Sequence, residues 1–123
     1  MAILFISCRK IDTYRRMPMR TRLLAWDGRS SFEYEREGDG AIIVYHGENY
    51  AYSLVLGAPL CDQLLKTFAG KTVRLNHCLA EENIEDWLGK KGIRTKITRY
   101  LAPILRHEGY AVEGTRRGTL RFT

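Results

Sequence analysis

At 123 residues the chain suffices for one domain with a single core, and it is too short to enclose a large substrate cavity as well. Its formal net charge of +6 is laid down in blocks: residues 1–31 carry seven Lys/Arg against two acids, residues 32–89 four against ten, and residues 90–123 nine against two. Basic ends around an acidic middle make an oriented field of the kind that draws a polyanion, unlike the mixed signs of a surface charged only for solubility.

The first eight residues, Met1–Cys8, are apolar but too short for a signal peptide or a membrane span, and they run into Arg9-Lys10. Ala2–Ser7 reads as a buried strand. Cys8, Cys61 and Cys78 lie far apart without a C-x-x-C pair, which argues against a disulfide framework or zinc site and for a reducing compartment. The expectation is a soluble cytoplasmic protein with no membrane partner. Residues 1–31 form a basic segment in which Arg15-Arg16, Arg20 and Arg22 surround Met17-Pro18-Met19 with little periodicity. It is either an arm that orders on a partner or a strand whose neighbour the sequence does not identify.

Over residues 32–57 the pattern clears. Phe32–Arg36 alternates, Gly38-Asp39-Gly40 turns, Ala41–His46 is apolar, Gly47-Glu48-Asn49 turns, and Tyr50–Leu56 is rich in strand formers. This predicts a three-stranded antiparallel meander. Its acids Glu33, Glu35 and Glu37, with Asp39, suit the solvated face of an edge strand, where like charge discourages further pairing.

Residues 58–123 form the third unit. Pro59 suits a first helical turn, and Leu60, Leu64, Leu65 and Phe68 recur at helical spacing until Gly70. Thr72–Leu75 alternates as a short strand. Asn76 can cap a second helical segment reaching Gly89, with Ala80, Ile84, Trp87 and Leu88 inward; the polar run Glu81-Glu82-Asn83 leaves Asn83 as an alternative cap. After the turn Gly89-Lys90-Lys91-Gly92, the residues Ile93, Ile97, Tyr100, Leu101, Ile104 and Leu105 fall on one helical stripe. Rotation by about 100° per residue puts Thr95, Thr98, Arg99, Ala102 and Arg106 on the opposite face. Pro103 lacks an N–H and crowds the carbonyl of Arg99, so a kink is expected there. Gly109 can stop the helix, after which Tyr110–Phe122 reads as a hairpin turning at Thr115-Arg116-Arg117-Gly118.

Helix, short strand, helix, tight turn, helix and hairpin, over residues 59–123, resemble the winged helix-turn-helix superfamily. Val73-Arg74-Leu75 is similar to the small strand that pairs with the wing, Ile84–Leu88 to the end of the second helix, and Arg94–His107 to the recognition helix. Arg99-Tyr100-Leu101 and Leu105–Gly109 also resemble sequences of that helix. The chain departs from the usual pattern in the two glycines and two lysines of the inter-helix turn and in Pro103. The expected class is therefore α+β: a winged helix of three helices plus wing hairpin, with an N-terminal three-stranded antiparallel sheet.

The resemblance implies sequence-specific binding of double-stranded DNA, by a small transcription regulator or by the DNA-recognition part of a larger machine such as a mobile-element or defence system. Thr95, Thr98 and Arg99 are then the base contacts, since Arg can bond bidentately to guanine and Thr offers a hydroxyl and a methyl. Lys90, Lys91, Arg94 and Lys96, at a helix N-terminus, and Arg106 are the phosphate contacts. Arg116, Arg117 and Arg121 belong to the wing.

Winged helices also bind proteins and RNA. The alternative is a protein-interaction module whose acidic sheet docks a basic partner or inhibits a nucleic-acid enzyme; RNA binding ranks third, with Phe32, Tyr34, Tyr45, Tyr50 and Tyr52 as stacking candidates. The sheet is otherwise expected to cover the core or to join two copies, as in symmetric dimers that read paired half-sites. No catalytic residue, metal or cofactor is expected. His46, His77 and His107 lie in different elements, His77 has only Cys78 beside it, and neither a phosphate loop nor a dinucleotide fingerprint occurs.

Overall fold

The computed structural model describes residues 20–93 and 97–123. The strand expected over Ala2–Ser7 and most of the basic segment lie outside these residues. The described part of that segment is a strand: β1 (Thr21–Leu24) leads an antiparallel sheet continued by β2 (Ser31–Arg36), β3 (Ile42–His46) and β4 (Tyr52–Leu56), in that spatial order. The sheet therefore has four strands where three are expected. Of the two readings of this segment the strand holds for Thr21–Leu24, and its neighbour is illegible because Leu23 and Leu24 are adjacent apolar residues, of which Leu24 stays 58% exposed, so the period-two signal fails. Its register, Thr21 opposite Tyr34 and Leu23 opposite Phe32, is supported by Arg20 and Arg22, which reach Glu33 across the strands at 3.5 Å each. With β1 in place β2 is an interior strand, and the edge-strand role expected for Glu33 and Glu35 does not apply.

Alternation sorts the two faces. Phe32 and Tyr34 of β2, Ile42 and Val44 of β3 and Leu56 of β4 are buried, while Glu33, Tyr45 and Val55 look outward. Between β3 and β4 a short 3-10 turn, Glu48–Tyr50, follows Gly47. A side chain at Gly47 would put its Cβ 2.6 Å from the Tyr52 ring, and φ is +82°, so the position is open to glycine alone.

The second half holds three helices and a small sheet. α1 (Ala58–Phe68) carries Pro59 in its first turn and buries Cys61, Leu64 and Phe68. β5 (Thr72–Arg74) follows. α2 (Ile84–Lys90) starts later than a cap at Asn76 would place it: Asn83 is the cap, its Oδ1 accepting from the Asp86 N–H at 2.7 Å while its Nδ2 donates to the carbonyls of Cys78 and Glu81. Ala80, expected inside, is exposed on the preceding turn. α3 (Thr98–His107) is one helix across Pro103. It ends with Gly109 at φ +87°, the Tyr110 N–H donating to the Leu105 carbonyl and the Gly109 N–H to that of Arg106. β6 (Ala111–Glu113) and β7 (Thr119–Phe122) return as a hairpin, and β7 lies centrally in a three-stranded antiparallel sheet ordered β5-β7-β6.

All of this closes on one core. Phe32, Ile42, Val44 and Leu56 of the large sheet belong to the same buried cluster as Leu64, Phe68, Ile84, Leu88, Leu101, Leu105 and Leu120. No helix among the described residues is long and apolar enough to cross a membrane.

Asn83 is 2% exposed and both accepts and donates. Asn83→Ala removes the cap and strands the carbonyls of Cys78 and Glu81, so it is expected to cost about 2 kcal/mol in urea unfolding. Asn83→Asp retains the acceptor but turns a buried carboxylate toward Asp86, whose Oδ2 lies 2.9 Å from Asn83 Nδ2, so it should recover none of that loss at pH 7.

Candidate nucleic-acid interface

α3 is buried on more than one face. Thr98, Tyr100, Leu101, Ala102, Pro103, Ile104 and Leu105 are all buried, which leaves Arg99, Arg106 and His107 at the surface. The stripe that enters the shared core is legible from period. Tyr100 of that stripe meets the large sheet, its ring edge to face with Phe32 at 5.0 Å and stacked with His46 at 5.0 Å, while on the opposite face β1 and the turn after it lie against Pro103 and Arg106.

Pro103 explains how the sheet is attached. A proline cannot donate to the carbonyl four residues earlier, so the carbonyl of Arg99 lacks its helical partner. The backbone N–H of Trp26, in the turn after β1, supplies it at 2.8 Å. The Arg99 side chain is held by the same turn, Nη2 lying 2.9 Å from Asp27 Oδ2, with Ser30 Oγ at 3.5 Å.

The far end of α3 is fastened by a second cluster. Glu108 follows the last helical residue, and its carboxylate accepts from Arg36 Nη2 at 2.7 Å, from Arg36 Nε at 3.2 Å and from the Tyr34 hydroxyl at 2.9 Å. Burial raises the pKa of the Glu108 carboxyl, but the bonds from Arg36 and Tyr34 outweigh it and hold the group below its ordinary 4.5. Burial, reinforced by Glu108, pushes the Tyr34 hydroxyl well above its usual range.

These contacts sort the expected site residues. Arg94, Thr95 and Lys96 lie outside the described residues. Thr98, expected at a base, is 4% exposed and cannot present its hydroxyl to one. Arg99, also expected at a base, is tied to Asp27. Arg106, expected at a phosphate, lies 5.1 Å over the Trp26 ring and 3.5 Å from Glu113. Arg116 forms a two-point pair with Glu81, at 2.8 and 3.2 Å, which holds that carboxyl below its usual range. Lys90, Lys91, Arg117 and Arg121 are exposed and have no carboxylate within 4.0 Å among the described residues. Lys91 lies 5.2 Å from the Trp87 ring, and Arg121 stands opposite Thr72 and Val112 on the outer face of the small sheet.

The acidic sheet is likewise not a bare acidic surface. Glu33 is paired with Arg20 and Arg22, and Glu35 accepts from the Tyr45 hydroxyl. Residues 1–19 and 94–96 hold six of the twenty cations and one of the fourteen acids, so the described residues carry fourteen against thirteen, a net +1. Of the five aromatic residues considered for stacking, Phe32 and Tyr34 are core, and Tyr52, 65% exposed, stacks on His46 at 5.8 Å. His77 Nδ1 lies 2.8 Å from Asp86, and no three His, Cys, Asp or Glu residues gather among the described residues. A cleft of about 480 Å³ opens between Trp26-Asp27 and His77-Glu85 at the start of α3. Comparison with protein families, curated proteins and solved structures finds no match.

Because Glu108 has a depressed pKa in the folded chain, its contribution is complete above pH 4.5 and is lost as pH falls through the lower folded value. Glu108→Gln is expected to cost about 1–3 kcal/mol at pH 7. The gap between variant and parent in urea unfolding should narrow at pH 3.

Proposed function

We propose that the chain is a winged-helix module that binds duplex DNA chiefly through phosphate contacts along its inter-helix turn and wing, with the third helix serving as an internal strut. The element order α1-β5-α2-α3-β6-β7 and the strand order β5-β7-β6 support the winged-helix reading. The observation that carries the DNA reading is the pairing pattern of the cations. Lys90, Lys91, Arg117 and Arg121 have no acidic partner among the described residues, whereas Arg99, Arg106 and Arg116 each have one. In sequence, Arg94 and Lys96 extend the same turn. Such contacts fix a protein on the duplex without reading its sequence. The role that fits is that of a regulator or of the DNA-holding part of a larger assembly, with sequence preference set by DNA shape.

The covered helix favours a second reading, a protein-interaction winged helix. The two differ in salt. Phosphate contacts by Lys90, Lys91, Arg117 and Arg121 give duplex affinity whose logarithm falls with log salt at a slope of about −3.6. Replacing Arg117 and Arg121 together by Ala should reduce that slope by about 2 and weaken every duplex alike, while Arg99→Ala leaves any sequence preference unchanged. Fluorescence anisotropy titrations over a salt series measure both. Lack of duplex binding at roughly 50 mM salt overturns the DNA reading and leaves the second.

A further inference from the structure

Among the described residues the two sheets present four edge strands, and three of them carry a charge. β1 carries Arg22, ion-paired to Glu33; β5 carries Arg74; β6 carries Glu113, paired to Arg106. Charge on an edge blocks the addition of a foreign strand. β4 has no such guard. Tyr52-Ser53-Leu54-Val55-Leu56 contains neither charge nor proline, all five residues pair with β3 on one side, and no described strand pairs on the other. Tyr52 is 65% and Val55 59% exposed, and Tyr52 is held in place by its stack on His46.

We propose that the β4 edge is a self-association site, where a second copy of this chain adds its own β4 antiparallel about a two-fold axis and joins two four-stranded sheets into one. An unpaired edge offers its backbone N–H and C=O groups to any strand. Charge narrows the choice: β4 gives a charged strand no counter-charge, and its own copy is an uncharged strand of matching length. Pairing centred on Leu54 sets Tyr52 opposite the partner's Leu56 and Ser53 opposite the partner's Val55, so no like charges meet along the ladder. The contact is isologous and therefore closes at two copies.

Sedimentation equilibrium of the chain without DNA, from about 1 to about 300 µM, tests this independently of the nucleic-acid reading. The expected result is a monomer of 14.2 kDa in equilibrium with its dimer. Val55→Lys should weaken the dimer at least tenfold; Tyr52→Lys is the second variant should Val55→Lys fail to fold by circular dichroism. Leu24→Lys, an exposed apolar residue on the opposite edge, should leave the dimer intact. A parent chain that stays monomeric throughout, or a dimer indifferent to folded Val55→Lys and Tyr52→Lys, overturns the proposal.

Discussion

The architecture turns on one backbone carbonyl. Pro103 removes the donor that the carbonyl of Arg99 would find inside its own helix, and a peptide oxygen left unpartnered away from water costs about 1–3 kcal/mol. The Trp26 N–H meets it at 2.8 Å and so lays the β1–β2 turn across the start of α3. Other contacts share that placement. Asp27 lies within reach of the Arg99 side chain, the Trp26 ring faces Arg106, and Phe32 meets Tyr100. At the other end of the helix Glu108 holds Arg36 and Tyr34. The sheet is thus clamped at both ends of α3, by a peptide hydrogen bond at one and a half-buried ion pair at the other.

Most of the second half was legible in the sequence. Its periods change cleanly, and its glycines fall at the element ends, with Gly70 and Gly109 both at positive φ. The outer face of α3 was not. Rotation separates residues that face the first core from those that do not, but it cannot say whether the second face meets water, DNA or another layer of the same chain. Thr98, Ala102 and Pro103 are small, which suits a close-packed contact as well as it suits a groove. Pro103 itself was the available signal, because an in-helix proline implies an orphan carbonyl that something must satisfy. The ion pairs were hidden for a different reason. Asp27 is 72 residues from Arg99, Glu108 is 72 from Arg36 and Glu81 is 35 from Arg116, so counting charge in blocks along the chain could not reveal that they cancel in space.

That cancellation is uneven in strength, and the unevenness matters for what each cation can do. The pair between Arg116 and Glu81 is exposed, and solvent-screened pairs of that kind contribute little to stability. A phosphate could replace Glu81 there with little effect on the fold. Arg99 is different, because its backbone carbonyl is engaged by Trp26 while its side chain is engaged by Asp27. Turning it toward a ligand disturbs the attachment of the sheet. The hairpin end of the small sheet is therefore the more adaptable basic surface, and the helix the less adaptable one.

The same reasoning rules out the large sheet as a removable lid over the helix. Phe32, Ile42, Val44 and Leu56 are all at 1% exposure or less and share one cluster with Leu101 and Leu105. Lifting the sheet would return those four side chains to water at about 1.5–3 kcal/mol each. The total, about 6–12 kcal/mol, is comparable with the whole stability of an ordinary domain, about 5–15 kcal/mol, before the Glu108 cluster and the Trp26 bond are counted. A polyanion attracted by a few surface cations cannot supply that difference while also forming its own contacts. Any partner of the described residues would therefore meet the closed molecule, whose outward surfaces include the Lys90-Lys91 turn, the hairpin arginines and the uncharged edge of β4.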